Sequence, residues 1–208
     1  MYDSEQMSDT DPRVERTRAQ LAQSASQLLV SEGWEAMSVA AVCARARVSR
    51  STFYLQFRQP WEPVVEHLTS LFRSEYPTLI EGRSALDPDS LLLNGHPLSY
   101  SFFEHVERHE DLYRRIFGHV DGAPVCRQLT ARIADLSRLY HEALRAISSE
   151  PIDPDLIAGY LAGALVEVGG RWIISQPRRS ATAMAYWFSQ MAAPGLLQMM
   201  GLGSLLEG

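Results

Sequence analysis

Apolar residues recur every three to four positions along most of this chain, and no stretch alternates as a half-buried strand would or pairs β-branched runs around a two-residue turn. The pattern predicts an all-α protein. A first helix is expected from Pro12 to about Ser31, with Val14, Leu21, Ala25, Leu28 and Leu29 on its inner stripe and Gly33 closing it. Trp34 and Met37 then pack in the turn. Ser38 is a natural N-cap for a short helix with Val39 and Val42 inward that stops near Arg45, and Ser49 can cap the next, which runs to about Gln56. Phe53 and Phe57, at helical spacing in the aromatic cluster with Tyr54, are expected to be core. Two short helices around a tight turn, behind a longer one, read as a helix-turn-helix.

Pro60 and Pro63 suit the first turn of a helix starting near Trp61 and continuing to about Tyr76. From Pro77 to Pro97 the chain is rich in Pro, Gly, Asp and Ser, with Leu91 to Leu93 as a candidate helical turn. Further helices are expected at about Ser99 to Phe117, Ala123 to Ser148, Pro154 to Ser175, and Ser180 to Met191 or beyond. Gly118, Gly122, the stretch Pro151 to Pro154, and Pro177 mark the joints, and no internal repeat is found. The predicted layout is a disordered tail over 1–11, a three-helix head over 12–58 and a helical-bundle body over 59–208.

Charge changes the picture more than composition does. With 208 residues, 46% hydrophobic and 21% charged, the chain reads as an ordinary globular protein. A net charge of −6 would discourage a nucleic-acid partner if it were spread evenly. It is not: residues 13–58 hold seven arginines against three acids, a local balance of +4, which leaves −10 on the remainder. A basic head on an acidic body is the asymmetry of a molecule that meets a polyanion at one end. All nineteen basic residues are arginine, which suits bidentate phosphate and guanine contacts.

Cys43 and Cys126 stand apart, with no Cys-x-x-Cys and no metal-spaced histidine beside them, so neither a disulfide scaffold nor a zinc module is indicated and a reducing cytoplasm is expected. Asp3, Glu5, Asp9 and Asp11 at the start do not read as an export signal. Leu156 to Ile174 is apolar for about the length of a membrane span, but Glu167 and Arg171 lie within it, and a charge near the bilayer centre costs roughly 3 kcal/mol. Spaced four apart, they can pair on one face of a buried or interfacial helix, and no membrane partner is expected. No Gly-x-Ser-x-Gly elbow, phosphate-cradling loop or dinucleotide fingerprint is present, so no enzyme activity and no cofactor are expected. His105 and His109 share a helix face near Glu104 and Glu110. They read as a solvated charged face, without the His-Glu-x-x-His order of a zinc hydrolase, and no metal is assigned to them.

The stretch from Ser38 to Phe57, and above all Val48-Ser49-Arg50-Ser51-Thr52-Phe53-Tyr54-Leu55-Gln56-Phe57, resembles the DNA-binding head of TetR/AcrR-type transcriptional regulators. With the first helix, the resemblance covers about a quarter of the chain. It implies a homodimeric regulator, most often a repressor that a ligand releases from DNA, with an effector-binding and dimerisation body over 59–208. Arg47 stands where that family usually has glycine in the turn, and if the position needs positive φ a side chain there costs about 1 kcal/mol or more. Gln56 replaces a common histidine or tyrosine, and the lysine usual at the start of the fourth helix falls at Pro60.

A helix in the major groove presents its N-terminal residues to base edges, which makes Arg50, Ser51 and Thr52 the candidate readers, Arg50 foremost because its fork matches guanine O6 and N7. Ser38, Arg47, Ser49, Tyr54 and Gln56 are candidate phosphate contacts that set register. In the body, Phe72, Tyr76, Phe102, Phe103, Tyr113, Phe117, Tyr140 and Trp172 supply aromatic material, and His105, His141 and Glu167 polar groups, for a pocket that would take a small apolar or aromatic effector. Ala158, Gly159, Ala162, Gly163 and Gly169 on one late helix, with Ala181, Met184, Ala185, Phe188 and Met191 on the next, would permit a four-helix bundle between two copies. Two heads would then meet successive major grooves of double-stranded DNA at a roughly palindromic operator. The alternatives are a DNA-binding regulator without a small-molecule effector, and a non-DNA helical dimer with a metal or ligand site.

Overall fold

The computed structural model describes residues 11–80, 97–145 and 153–199, with the side chains of 76–80, 97 and 139–145 outside that description. Every element among the described residues is helical, as the apolar spacing predicted. The chain divides into two compact units, residues 1–67 and 68–208.

In the first unit, α1 spans Pro12–Glu32. Its start is set by Asp11, whose carboxylate accepts from the Arg13 N–H at 2.9 Å, with Pro12 at a position that needs no donor. Gly33, at φ 83°, ends it in a conformation that a side chain disfavours. A single 3₁₀ turn, Trp34–Ala36, leads to α2 (Val39–Ala46) and α3 (Arg50–Tyr54). Leu21, Leu28 and Leu29 of α1, Val42 and Ala46 of α2, and Phe53 and Phe57 form the core, with Phe53 fully buried. A side chain of that size buried completely contributes roughly 1.5–3 kcal/mol. Val14 departs from the predicted stripe: residues 11–16 are all exposed, so that part of α1 stands clear of the core. Helix α4 (Glu62–Ile80) begins in the first unit. It continues past the predicted end at Tyr76 and through Pro77, an interior proline that costs the helix one backbone donor.

The second unit holds the rest of α4, then α5 (Pro97–Arg108), α6 (Glu110–Phe117), a 3₁₀ turn at Val120–Gly122, α7 (Ala123–Arg145), α8 (Pro154–Ile174) and α9 (Ala181–Met199). The candidate turn at Leu91 to Leu93 lies outside the described residues. Helix α8 packs along α7 and also meets α5 and α6, while α9 lies against α5. Two glycines let these helices approach: a Cβ on Gly169 would stand 2.6 Å from the Phe102 ring, and one on Gly170 2.6 Å from the Phe117 ring. Asp153 caps α8 by accepting from the N–H groups of Asp155 and Leu156 at 2.9 and 3.4 Å, the cap-and-proline start the sequence predicted.

The single helix expected from Ser99 to Phe117 is two helices. The break falls at His109, whose backbone leaves the helical region at φ −109°, ψ 35° while its carbonyl accepts from Leu112 and Tyr113 to begin α6. No glycine or proline marks it. Helix α8 is long and apolar enough to cross a membrane, yet more than half of that stretch is buried inside the unit. Glu167 and Arg171 pair on its exposed face, as their spacing predicted.

Candidate nucleic-acid interface

The turn between α2 and α3 is built by three local devices. The Ser38 hydroxyl accepts from the Ala41 N–H at 3.2 Å and starts α2. Arg47 ends it in the left-handed region, at φ 54° and ψ 40°, and its N–H donates back to the carbonyls of Ala44 and Cys43. The Ser49 hydroxyl accepts from the Thr52 N–H at 3.1 Å and starts α3. The backbone conformation that a glycine would supply is therefore present with an arginine in its place.

These devices leave a polar front on α3. The Ser49 hydroxyl lies 2.8 Å from those of Ser51 and Thr52, so the three share hydrogen bonds around one helix N-terminus. Arg47 and Arg50 are exposed and make no ion pair among the described residues, whereas Arg18 is held by Glu66 at 2.7 Å and Arg45 by Glu32 at 3.0 Å. Tyr54 is exposed, its ring edge-on to the buried Phe53. Gln56 is half-buried, and its Nε2 donates to the Val14 carbonyl at 3.4 Å, so α1 engages the side chain expected at a phosphate. Phe53 and Phe57 are core, as their spacing predicted, and Arg18 lies 4.8 Å over the Phe57 ring. The result is a short capped helix with an exposed guanidinium at its first residue and another in the preceding turn. Such a front can donate to phosphate oxygens and base edges together.

The body gathers most of the aromatic pool. Phe72, Phe102, Phe103, Tyr113 and Trp172 are buried and Phe117 half-buried, with Phe103 against Phe102, Trp172 and Phe188 at 5.5–6.1 Å and Tyr113 stacked on Phe117 at 5.8 Å. Glu167 does not join them: it lies on the exposed face of α8 with Arg171, which corrects its place in the pool. The side chains of Tyr76, Tyr140 and His141 lie outside the described residues.

His105 and His109 are not a solvated face. His105 is 1% exposed, and its Nδ1 lies 2.8 Å from one oxygen of Glu75, while His109 Nε2 lies 2.9 Å from the other. Burial, only partly offset by Glu75, takes the His105 imidazole down to about 4, so it is neutral at neutral pH. Burial opposes the charge on Glu75, but the hydrogen bonds from His105 and His109 hold its carboxyl below the usual range. Sequence reasoning missed Glu75, which lies thirty positions before His105 on a different helix and has no local signal. A second polar group, also unforeseen, joins α6 to the loop before α9. Arg178 donates twice to Glu110, at 2.7 Å each, and Arg114 donates to the same carboxylate at 2.7 Å.

Of the residues expected at a dimer interface, Ala158, Ala162, Ala181, Ala185 and Phe188 are buried within their own unit and Met184 is half-buried. Gly159 and Met191 are exposed and Gly163 is partly exposed, and among the described residues nothing lies within 4 Å of a Cβ placed on either glycine. The exposed large apolar residues of the same two helices are Leu156, Tyr160, Ile174, Tyr186, Trp187, Met191 and Met199. Several of them border an open groove of about 540 Å³ between α8 and α9.

The described residues thus hold a capped, arginine-bearing helix-turn-helix followed in the chain by an all-α body. Residues 21–59 match the family model "Bacterial regulatory proteins, tetR family". Among solved structures, the chain is similar to the TetR-family repressor FadR of Thermus thermophilus in complex with lauroyl-CoA, at 18% identity and TM-score 0.62 over 86% of this chain and 95% of that one. It is similar to RolR in complex with resorcinol, at 18% identity and TM-score 0.59 over 94% and 96%. It is also similar to the fatty acid degradation regulator FadR of Bacillus halodurans, at 16% identity and TM-score 0.58 over 90% and 98%. A comparison with curated protein sequences finds no match. Residues 21–59 are thus similar to the N-terminal part of TetR-family regulators, and the fold is similar to that of these solved structures over 86–94% of the chain.

Proposed function

We propose that this protein is a sequence-specific DNA-binding repressor that acts as a homodimer on a roughly palindromic operator and leaves it when a small apolar or aromatic ligand binds the body. The observation that carries the reading is the front of α3: Arg50 and Arg47, exposed and without an ion pair among the described residues, beside a self-satisfied cap of Ser49, Ser51 and Thr52. An arginine held at a helix N-terminus without a carboxylate partner keeps its donors for a duplex. Residues 12–58 then form the DNA-binding part, and 59–208 the effector and dimerisation part.

Two further observations support the finer points. The apolar groove and the aromatic residues exposed on α8 and α9 are what a second copy would cover. The aromatic body core accords with the kind of effector proposed, as do a lauroyl-CoA complex and a resorcinol complex among the similar folds. Release by ligand requires differential affinity for two states, about 5.5 kcal/mol for a swing from 1:99 to 99:1. The test is a genomic footprint of the purified protein, repeated with and without extract of the cells that make it. Discrete palindromic sites that the extract weakens are expected, and uniform salt-sensitive binding without footprints would rule out the sequence-specific reading.

A further inference from the structure

We propose that Glu75, His105 and His109 form a binding site for a divalent transition-metal ion of the zinc type. The three side chains come from α4, from α5 and from the break before α6, and one ligand-capable atom of each lies within 4.8 Å of the others. Two imidazole nitrogens and a carboxylate are the donor set of an open zinc site, with three protein ligands and a position left for water or an exogenous group.

Several features go beyond a chance hydrogen-bonded triad. Helical i, i+4 spacing, with the His109 N–H donating to the His105 carbonyl at 3.1 Å, brings the two rings to 4.6 Å, so that both face one carboxylate. A neutral imidazole whose proton sits on Nε2 presents Nδ1 as a ligand, and Nδ1 is the His105 atom that faces Glu75. Its Nε2 is buried and makes no hydrogen bond among the described residues. The rings of Phe72 and Tyr113 stand perpendicular to His105 at 5.3 and 5.7 Å and give the site an apolar wall. Among the described residues Arg108 also approaches the carboxylate, its Nη1 3.3 Å from Glu75 Oε2, and with half its side chain exposed it can swing into solvent. Glu75 has one negative charge to offer, and a dipositive ion exploits it better than a guanidinium at that distance.

The site does not depend on the DNA-binding reading, and the experiment separates the two. Purified full-length protein is stripped with a chelator, dialysed and titrated with Co²⁺ by visible absorption and with Zn²⁺ by calorimetry. His109→Gln, Glu75→Gln and the control Cys126→Ser are treated alike, with far-ultraviolet circular dichroism to confirm folding. One ion per chain is expected, with an affinity reduced about tenfold or more in each ligand variant and unchanged in Cys126→Ser. Saturation below one equivalent at tens of micromolar metal, or equal affinity in folded His109→Gln and wild type, would overturn the proposal. DNA binding by the stripped protein, measured in parallel, reports on the regulator reading whichever way the titration falls.

Discussion

The Ser49 hydroxyl accepts the Thr52 N–H at 3.1 Å, and that one bond starts the helix on which the proposed DNA contacts sit. Helix α3 has five residues, fewer than an isolated helix needs to persist, so its geometry rests on this cap and on the burial of Phe53. Ser49→Ala should cost about 1 kcal/mol of stability. It should also weaken operator binding by more than the fold is weakened, because the N-terminal turn loses its register. Urea unfolding and a DNA titration on the same preparation check both.

Arg50 and Tyr54 should separate reading from positioning. Arg50→Ala is expected to lower operator affinity by about 1–3 kcal/mol and relax the preference at one base pair, as the loss of a bidentate guanine contact would. Tyr54→Phe removes one exposed hydroxyl and should weaken all sequences about equally. Binding to a set of operators with single base changes distinguishes the two patterns. Unaltered preference in Arg50→Ala would remove Arg50 from the reading role.

Arg47 sets stability against affinity. At φ 54° it occupies a region that glycine adopts freely, so Arg47→Gly should stabilise the fold by up to about 1 kcal/mol. The same change removes an exposed cation beside α3. DNA affinity should therefore fall, and the slope of log K against log salt should shrink by about 0.9 if one phosphate contact is lost. A variant more stable and equally tight would place Arg47 outside the interface.

The head was legible because its signals are local. Ser38 and Ser49 each cap the helix that follows, as the sequence predicts, and Arg47, where the family resemblance places a glycine, lies in the left-handed region. In the body the signals are tertiary. The His105–His109 spacing looked like a solvated face because the carboxylate that claims both rings comes from α4, and the break at His109 has neither glycine nor proline to announce it. The small residues of α8 were read as facing a second copy. Ala158 and Ala162 instead pack inward, while Gly159 and Tyr160 are exposed, a distinction of about 100° around a helix that composition alone cannot make.

Glu110 should make stability depend on acid. Its hydrogen bonds from Arg178 and Arg114 pull the carboxyl from 4.5 down to about 2, and Glu107 is the further carboxylate that acts on Arg178. Because the folded pKa lies below the unfolded one, this stabilisation is complete above about pH 4.5 and is lost as pH falls toward 2. After solvent screening it is of order 1 kcal/mol, since Glu110 is a third exposed. Glu110→Gln should lower stability at pH 7 by that order and flatten the acid limb of a plot of unfolding free energy against pH. An unchanged acid limb would mean that the Arg178 clamp contributes nothing in solution.

The exposed face of α8 and α9 makes the last prediction. Leu156, Tyr160, Met191 and Met199 border an open apolar groove, and Gly159 beside it meets no side chain among the described residues. Closing that groove with a second α8–α9 pair would bury aromatic and thioether surface, at roughly 25 cal/mol per Å² removed from water, without asking any core residue to move. Placing a charge there reverses the sign, since an unpaired carboxylate would be desolvated in every copy. Tyr160→Glu should therefore leave the helical content and the head intact while shifting the protein from dimer to monomer at micromolar concentration, as sedimentation equilibrium would show. Operator affinity should fall with it, because a lone head has only one half-site to hold. A wild-type protein already monomeric at that concentration, or a Tyr160→Glu variant that stays dimeric, would place the subunit contact elsewhere on the body.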